Sequence, residues 1–365
     1  MIIWSGSFED ISGYSTASRD YIKAFYEAGV DIRVHYRSFD HRGSNRDLIM
    51  KEELELCDKL EISNIKKDSN FNWVCHSTPN VAFTVPARKI VLYTVWETNK
   101  ILPMFEKFIA PFDFILTPSE FSRSAFLSIC PNLDIRVLPH ITHNYSNSFP
   151  VNPNLEKTLK DKFVFFWSGE WFLGKGYDII LKAFIKAFSG NRDVVLLLKT
   201  YNLGTVNYKN SVIDYIKKEK STTFPSIIPL IGDLDREHTL GLYQLANVFV
   251  NSSRREGWSL TSSEALGFGL PVIAPDKGGH IEFLHKNNSI LYKSYWDKVN
   301  NLEPARALYQ GQDWIESNID HLIEILKHVY ENYTEVKTNL SKGIKKTIAK
   351  YNANNITKQF LEYMK

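Results

Sequence analysis

Twelve short apolar runs, six on either side of a stretch rich in Asn, Ser and Pro, constrain this 365-residue chain more than any other feature. The first six run from Ile2 to Ser5, Ile32 to Tyr36, Trp73 to Cys75, Ile90 to Val95, Phe114 to Thr117 and Ile135 to Leu138. The second six run from Phe163 to Ser168, Val194 to Lys199, Ile227 to Ile231, Val248 to Asn251, Val272 to Ala274 and Ser289 to Tyr292. Continuous apolar runs bounded by turn residues suit strands buried on both faces. Between them lie helical patterns, such as Ile180, Phe184 and Phe188 on one face of 177 to 189, so parallel sheets built by right-handed crossovers are expected. The punctuating stretch, Asn144 to Asn154, has the chemistry of a linker. The chain is also longer than one core usually serves. The pattern therefore predicts an α/β protein of two Rossmann-like domains, residues 1–148 and 149–340, with helical patterns from Trp314 to the end and a helical segment at 341–365.

Charged residues at 23% and hydrophobic ones at 44% set disorder aside. A net charge of +3 without a concentrated basic stripe argues against nucleic-acid binding. Three cysteines, Cys57, Cys75 and Cys130, are odd in number and lack metal-ligand spacing, which points to a reducing, cytoplasmic setting. The start, Met-Ile-Ile-Trp4, has no basic region followed by an apolar one, so a secretory signal is not expected, and no run is long enough to cross a bilayer. The lysine-rich amphipathic stretch from His321 to Lys365 reads as solvated helix faces, with a peripheral contact at the inner face of the membrane as the alternative.

Chemistry concentrates in the second half. Glu256 and Glu264 stand eight positions apart in Arg255-Glu-Gly-Trp-Ser-Leu-Thr-Ser-Ser-Glu264. Serine and threonine at 259–263 suit a helix start near Ser259 or Thr261, where their oxygens would accept first-turn amides, and Gly267 and Gly269 suit its end. Such a loop-to-helix junction at the carboxyl edge of a parallel sheet attracts phosphate. Carboxylates on either side of it can accept the hydroxyls of a ribose or hexose. Taken alone, a Glu pair is ordinarily solvated surface; the helix-start chemistry and the strand Pro271-Val-Ile-Ala274 reverse that preference.

The segment from Leu245 to Phe283 resembles the E-x7-E region of family 4 retaining glycosyltransferases, whose fold is GT-B, with two Rossmann-like domains facing a central cleft; the resemblance also implies that the helical segment at 341–365 packs back on the first domain. Ala246–Ser253 resembles the strand leading into the motif, and Gly278-Gly-His-Ile-Glu282 the turn after it. The resemblance implies that Glu256 holds the donor sugar and Glu264 the nucleotide ribose, with Trp258, Ser259, Leu260 and Thr261 around them. Phe165–Asp178 resembles the family's phosphate loop, placing Gly169 at its start and Lys175 on the diphosphate. Where relatives carry arginine after that glycine this chain has Glu170, and Lys199, Arg254 and Arg255 are the candidates to replace it. Gly232 resembles the turn that edges the base. In the first half the resemblance brings Gly13, in the loop after the first strand, near the diphosphate, and His76 into the sugar pocket; Glu97 and His140 are acceptor-side candidates. His280 and the tryptophans Trp96 and Trp171 lie near the same loops, although core packing is the ordinary place for a tryptophan.

A metal is not expected. Asp233-Leu-Asp235 is the one Asp-x-Asp, and Asp235 precedes a helical pattern from Arg236 to Ala246 as an N-cap would. The loop after the first strand lacks a full G-x-G-x-x-G, which disfavours NAD. The resemblance thus implies a metal-independent retaining hexosyltransferase without a cofactor, using a UDP- or GDP-sugar donor and a saccharide or glycolipid acceptor, the usual employment being polysaccharide assembly. A noncatalytic nucleotide- or carbohydrate-binding protein of the same fold is the rival, made conceivable by Glu170.

Overall fold

Each predicted strand set forms its own sheet. The structure, a computed structural model, describes residues 1–37, 44–62, 70–201, 225–299 and 306–365, with 214, 217 and 218. The chain divides into two units, Met1–Thr142 with Lys350–Lys365, and His143–Ala349.

In the first unit β1 (Ile2–Gly6), β2 (Ile32–Tyr36), β3 (Asn72–His76), β4 (Lys89–Tyr93), β5 (Phe114–Thr117) and β6 (Ile135–Val137) lie in the order β2-β1-β3-β4-β5-β6, all parallel. In the second, β7 (Phe163–Glu170), β8 (Val194–Tyr201), β9 (Ser226–Ile231), β10 (Val248–Val250), β11 (Val272–Pro275) and β12 (Ile290–Tyr292) lie in the order β12-β11-β10-β7-β8-β9, again all parallel. The apolar runs are the strands, with ends shifted by a residue or two. Proline at position 229 is tolerated because β9 is an edge strand. Each sheet reverses its direction of growth once, between β1 and β3 and between β7 and β10. In open parallel sheets ligands collect outside the carboxyl ends of the strands at such a switch point.

Helices cover the sheets with their apolar faces. Tyr177–Phe188 buries Ile180, Phe184 and Phe188 against β7 and β8, and Ile319–Glu331 adds Leu322, Leu326 and Val329 to the same core. The final helix, Ala353–Met364, belongs to the first unit: Phe360 is buried, with its ring stacked 4.3 Å from Phe25 and 6.1 Å from Trp4. Apolar positions of the lysine-rich C-terminal stretch are thus occupied in packing. Among the described residues no helix is long and apolar enough to cross a membrane.

One sequence expectation needs correction. The region from Trp314 onward reads as helical, yet Trp314 lies in β14 (Asp313–Ser317), which pairs antiparallel with β13 (Ser294–Lys298). Ser-Tyr-Trp-Asp-Lys in β13 is largely exposed, so its composition carries no strand alternation that sequence alone could detect. The Asn/Ser/Pro stretch packs within the second unit. Tyr145 donates its amide to Gly267 O at 3.0 Å and stacks on Phe268 at 4.5 Å, and Gly241 passes Pro150 so closely that a Cβ would sit 2.1 Å from its carbonyl oxygen.

Replacing Phe360 with alanine is expected to destabilise the first unit by about 3–5 kcal/mol, the usual cost of truncating a buried aromatic. Urea unfolding measures it, and parental stability in the variant would show that the final helix is no part of that core.

Candidate functional site

At the second unit's switch point two loops leave neighbouring strands and are laced together. The loop after β7 runs from Trp171 to Gly176, and the loop after β10 from Asn251 to Ser259. Gly176 has φ +70°, and a Cβ there would sit 1.9 Å from Ser252 O, so both its left-handed conformation and its close approach require glycine. Ser252 Oγ donates to Gly176 O at 2.8 Å and accepts from Trp167 Nε1 at 2.9 Å. Arg254 N donates to Gly174 O at 2.9 Å.

This lacing brings Lys175 and Glu256 together. Lys175 Nζ lies 3.1 Å from Glu256 Oε1, which also accepts from Ser253 Oγ at 2.8 Å. Both side chains keep partial access to solvent. The Glu256 backbone is braced from behind: Gly279 N donates to its carbonyl at 2.8 Å, and a Cβ on Gly279 would meet Gly257 O at 2.0 Å. The Gly-Gly turn noticed in the sequence is therefore a backing plate for the glutamate loop.

The helix after Glu256 spans Leu260–Gly267, close to the expected start, but its cap differs from expectation. Ser259 sits at φ 81°, ψ 81°, and its side chain caps no amide. Its hydroxyl instead accepts from Asn251 Nδ2 at 3.2 Å and donates to Ser262 Oγ at 2.9 Å. The left-handed backbone turns the hydroxyl inward, and the first-turn amides, at half-buried Leu260 and Thr261, have no side-chain cap. Such a terminus carries partial positive charge and donor groups fitted to an anion.

Glu264, one turn on, is 8% exposed. Its Oε1 pairs with Arg236 Nη1 at 2.5 Å, and its Oε2 accepts from Tyr243 OH at 2.7 Å. Sequence reasoning did not single out either partner, because neither lies within the motif. Trp258 is 2% exposed and packs 4.5 Å from Phe283, so it fills the unit's interior. Trp171 stacks on Tyr177 at 3.8 Å, and Trp96, in the first unit, packs edge-on against Phe105 at 5.4 Å.

The three cations nominated to replace the arginine at Glu170 have separate duties. Arg254 forks onto Asp178 through two bonds of 2.7 and 2.8 Å, reaches Glu316 at 2.7 Å and donates to Leu173 O at 2.7 Å. It is a buried structural tie between two carboxylates. Arg255 donates to Tyr309 OH at 2.9 Å, its guanidinium over the Phe172 and Tyr309 rings. Lys199 donates to Gly232 O at 2.8 Å, and burial pulls its pKa down to about 8 against the opposing charge of Asp233. Gly232, at φ +125°, turns the chain after β9. Asp235 caps the helix Arg236–Gln244 by accepting from His238 N at 2.9 Å, as its position predicts. Gly169 lies in β7, where a Cβ would come 3.0 Å from the Trp167 ring.

In the first unit His76 ends β3 beside the loop after β1. Its Nδ1 is bonded to Ser18 Oγ at 2.8 Å, and the ring is packed against Tyr93 at 4.7 Å and Tyr14 at 5.0 Å. Its Nε2 is buried with no hydrogen-bond partner. Burial, seconded by His140, drives its pKa well below 6.5, so the ring is neutral. Gly13 opens the helix Gly13–Glu27, capped by Ser12, whose amide is held by Asp10 at 2.8 Å. Burial pushes the Asp10 carboxyl up, but hydrogen bonds from Ser12, Ser7 and Ser15 outweigh it and hold its pKa below 3.8. His140 lies in a buried network with Tyr21 OH at 3.1 Å and Tyr93 OH at 3.2 Å, where burial lowers its pKa to about 3. Glu97 is half-buried in the loop after β4. His280 of the second unit donates Nε2 to Pro275 O at 2.8 Å, and burial lowers its pKa to about 4.

The fold has close counterparts of known structure. Anabaena HepE, solved with UDP and glucose, superposes with a TM-score of 0.69 over 100% of this chain and 98% of that one at 14% identity. Trehalose-6-phosphate synthase OtsA does so with a TM-score of 0.71 over 99% and 98% at 12% identity. The architecture is GT-B. Residues 152–303, which contain Lys175, Glu256 and Glu264, match the family model described as Glycosyl transferases group 1, and the match supports a glycosyltransferase family. A probable sucrose-phosphate synthase 4 of Oryza sativa subsp. japonica is 31% identical over 144 residues, which span 34% of this chain and 13% of that protein.

Two expected outcomes follow from these geometries. Breaking the buried tie with Arg254→Met leaves Asp178 and Glu316 without their cation and should cost about 3–5 kcal/mol by urea unfolding; a loss under 1 kcal/mol contradicts a buried pair. His76, His140 and His280 give a pH signature. Their folded pKa values lie below the unfolded 6.5, so the unfolded chain binds more protons as pH falls, and stability held above pH 6.5 is lost below it. Each should remove about 1.4 kcal/mol per pH unit between 6.5 and its folded value. Thermal melts from pH 6.5 to 4.5 check this, and an unchanged melting temperature is inconsistent with neutral buried imidazoles.

Proposed function

We propose that the protein is a retaining, metal-independent glycosyltransferase of the family 4 type, moving a hexose from a nucleoside diphosphate sugar to a saccharide or glycolipid acceptor. The observation that carries it is the Lys175–Glu256 pair, 3.1 Å apart on two laced loops, followed directly by a helix start without a side-chain cap. The group 1 family match over the same residues and the GT-B fold support it. HepE is described with UDP and glucose, which makes a UDP-sugar the first donor to test.

In this reading Lys175 and the amides of Leu260 and Thr261 receive the diphosphate, a preorganised set of donors for the charge that develops on it. Glu256 accepts hydroxyls of the donor sugar, Glu264 those of the ribose, and the turn at Gly232 edges the base. Gly169 leaves room for the Trp167 ring and the Lys175 stem beside it, and Gly13 opens its helix on the donor side. The bond from the anomeric carbon to the phosphate oxygen breaks, its electron pair leaving with the diphosphate. An acceptor hydroxyl attacks from the same face, and a phosphate oxygen takes its proton. The first unit serves the acceptor, with Glu97 on that side. His76 contributes a neutral imidazole nitrogen for a sugar hydroxyl, while the buried network around His140 suits a supporting role.

Nucleoside diphosphate release from a panel of nucleotide sugars, with and without EDTA, tests the reading. Lys175→Ala should lower turnover by about 100-fold, the typical cost of one charge-stabilising donor, and chelator should change nothing. Full activity in the variant, or its loss with EDTA, overturns the mechanism. Nucleotide binding without any release favours the noncatalytic reading that Glu170 allows.

A further inference from the structure

Glu264 is held by two donors of different kinds, one on each carboxylate oxygen. Tyr243 OH donates to Oε2 at 2.7 Å and also lies 3.2 Å from Thr261 O. Its ring is fixed among Phe166 at 5.0 Å, Phe249 at 5.7 Å and Phe268 at 5.4 Å. Arg236 takes Oε1 through Nη1, while Nη2 donates to Tyr145 OH at 3.3 Å. Tyr145 is itself stacked on Phe268, so both donors are anchored to the same aromatic group.

A carboxylate gripped in this way cannot rotate without losing both bonds. It has about four acceptor positions, so the grip leaves lone pairs over and fixes where they point. Burial, with the neighbouring Glu264 charge, raises the Tyr243 pKa well above 10, so the phenol stays a donor. The helix carrying Glu264 begins one turn earlier with the uncapped amides at Leu260 and Thr261. An anion at those amides brings the group attached to it towards the carboxylate one turn away.

We infer that Arg236 and Tyr243 are positioning residues that aim Glu264 at the vicinal hydroxyls of the donor's ribose, making the protein select ribonucleoside over 2′-deoxyribonucleoside diphosphates. The inference rests on the donor site proposed above and adds the source of its sugar selectivity. A buried group placed to bond a hydroxyl discriminates against the analogue lacking it, because its own bonding is then left incomplete.

Calorimetric titration of the full chain with UDP, GDP and their 2′-deoxy counterparts tests it, alongside Tyr243→Phe, Arg236→Gln and Glu264→Gln. The parent should prefer the ribonucleotide by about 10- to 100-fold, as expected for one hydrogen bond to a charged group. Tyr243→Phe and Arg236→Gln should each bring that ratio to within about threefold of unity while inorganic pyrophosphate binds as in the parent, since the amides and Lys175 are untouched, and Glu264→Gln should abolish the preference. Tyr243→Phe keeps the packed ring, and if it fails to fold Arg236→Gln decides. A parent that binds UDP or GDP without preferring the ribose form, or variants that keep the full preference, overturns the inference and leaves the donor site standing. Failure of the parent to bind any nucleotide overturns the donor site itself.

Discussion

The close approach of Gly176 to Ser252 is the constraint on which the second unit's chemistry depends. Chain segments that leave β7 and β10 come within van der Waals contact only because position 176 has no Cβ and adopts a left-handed backbone. Arg254 then ties the closed loops to the Tyr177–Phe188 helix through Asp178 and to β14 through Glu316. Lys175 adjoins the glycine and Glu256 follows the arginine by two residues, so the geometry of this ion pair is a consequence of backbone closure. The small β13–β14 sheet, invisible in the sequence pattern, has a role in this: it supplies both Glu316 and the Ile315 amide that donates to Arg254 O at 2.8 Å.

Polar groups near the two buried sheet edges are satisfied by neutral networks and by matched charges. In the first unit, neutral donors and acceptors are linked around the histidines, Ser18 with His76 and Tyr21 and Tyr93 with His140, beside the charged Asp10 and the Arg19–Glu53 pair. Burial keeps these imidazoles uncharged at neutral pH. In the second, charges are matched in pairs and forks, Lys175 with Glu256, Arg236 with Glu264, and Arg254 with Asp178 and Glu316. A buried charge is tolerated when paired and hydrogen-bonded.

Much of the fold was legible because its signals are local. Parallel strands buried on both faces must be apolar throughout, so Val194 to Lys199 or Ile32 to Tyr36 announce themselves. Asp235 announces its helix for an equally local reason, an oxygen three bonds from the backbone facing an orphan amide. Ser259 has the same chemistry and misleads, since its left-handed backbone, set by the tight passage from Glu256 into the helix, turns the hydroxyl towards Asn251 and Ser262. Arg254 and Lys199 looked like spare cations only because sequence shows charge without showing its partner.

The amino-acid order by itself determined two parallel α/β sheets, their strand sets, and the candidate acids and lysine at strand ends, since periodicity and cap chemistry act over a few residues. Only the tertiary structure decided which charges meet. Lys175 reaches Glu256 across 81 positions and Arg254 reaches Asp178 across 76. Such pairings depend on strand order and on the close backbone approaches at Gly176 and Gly279, which are properties of the packed chain and of no short stretch of it.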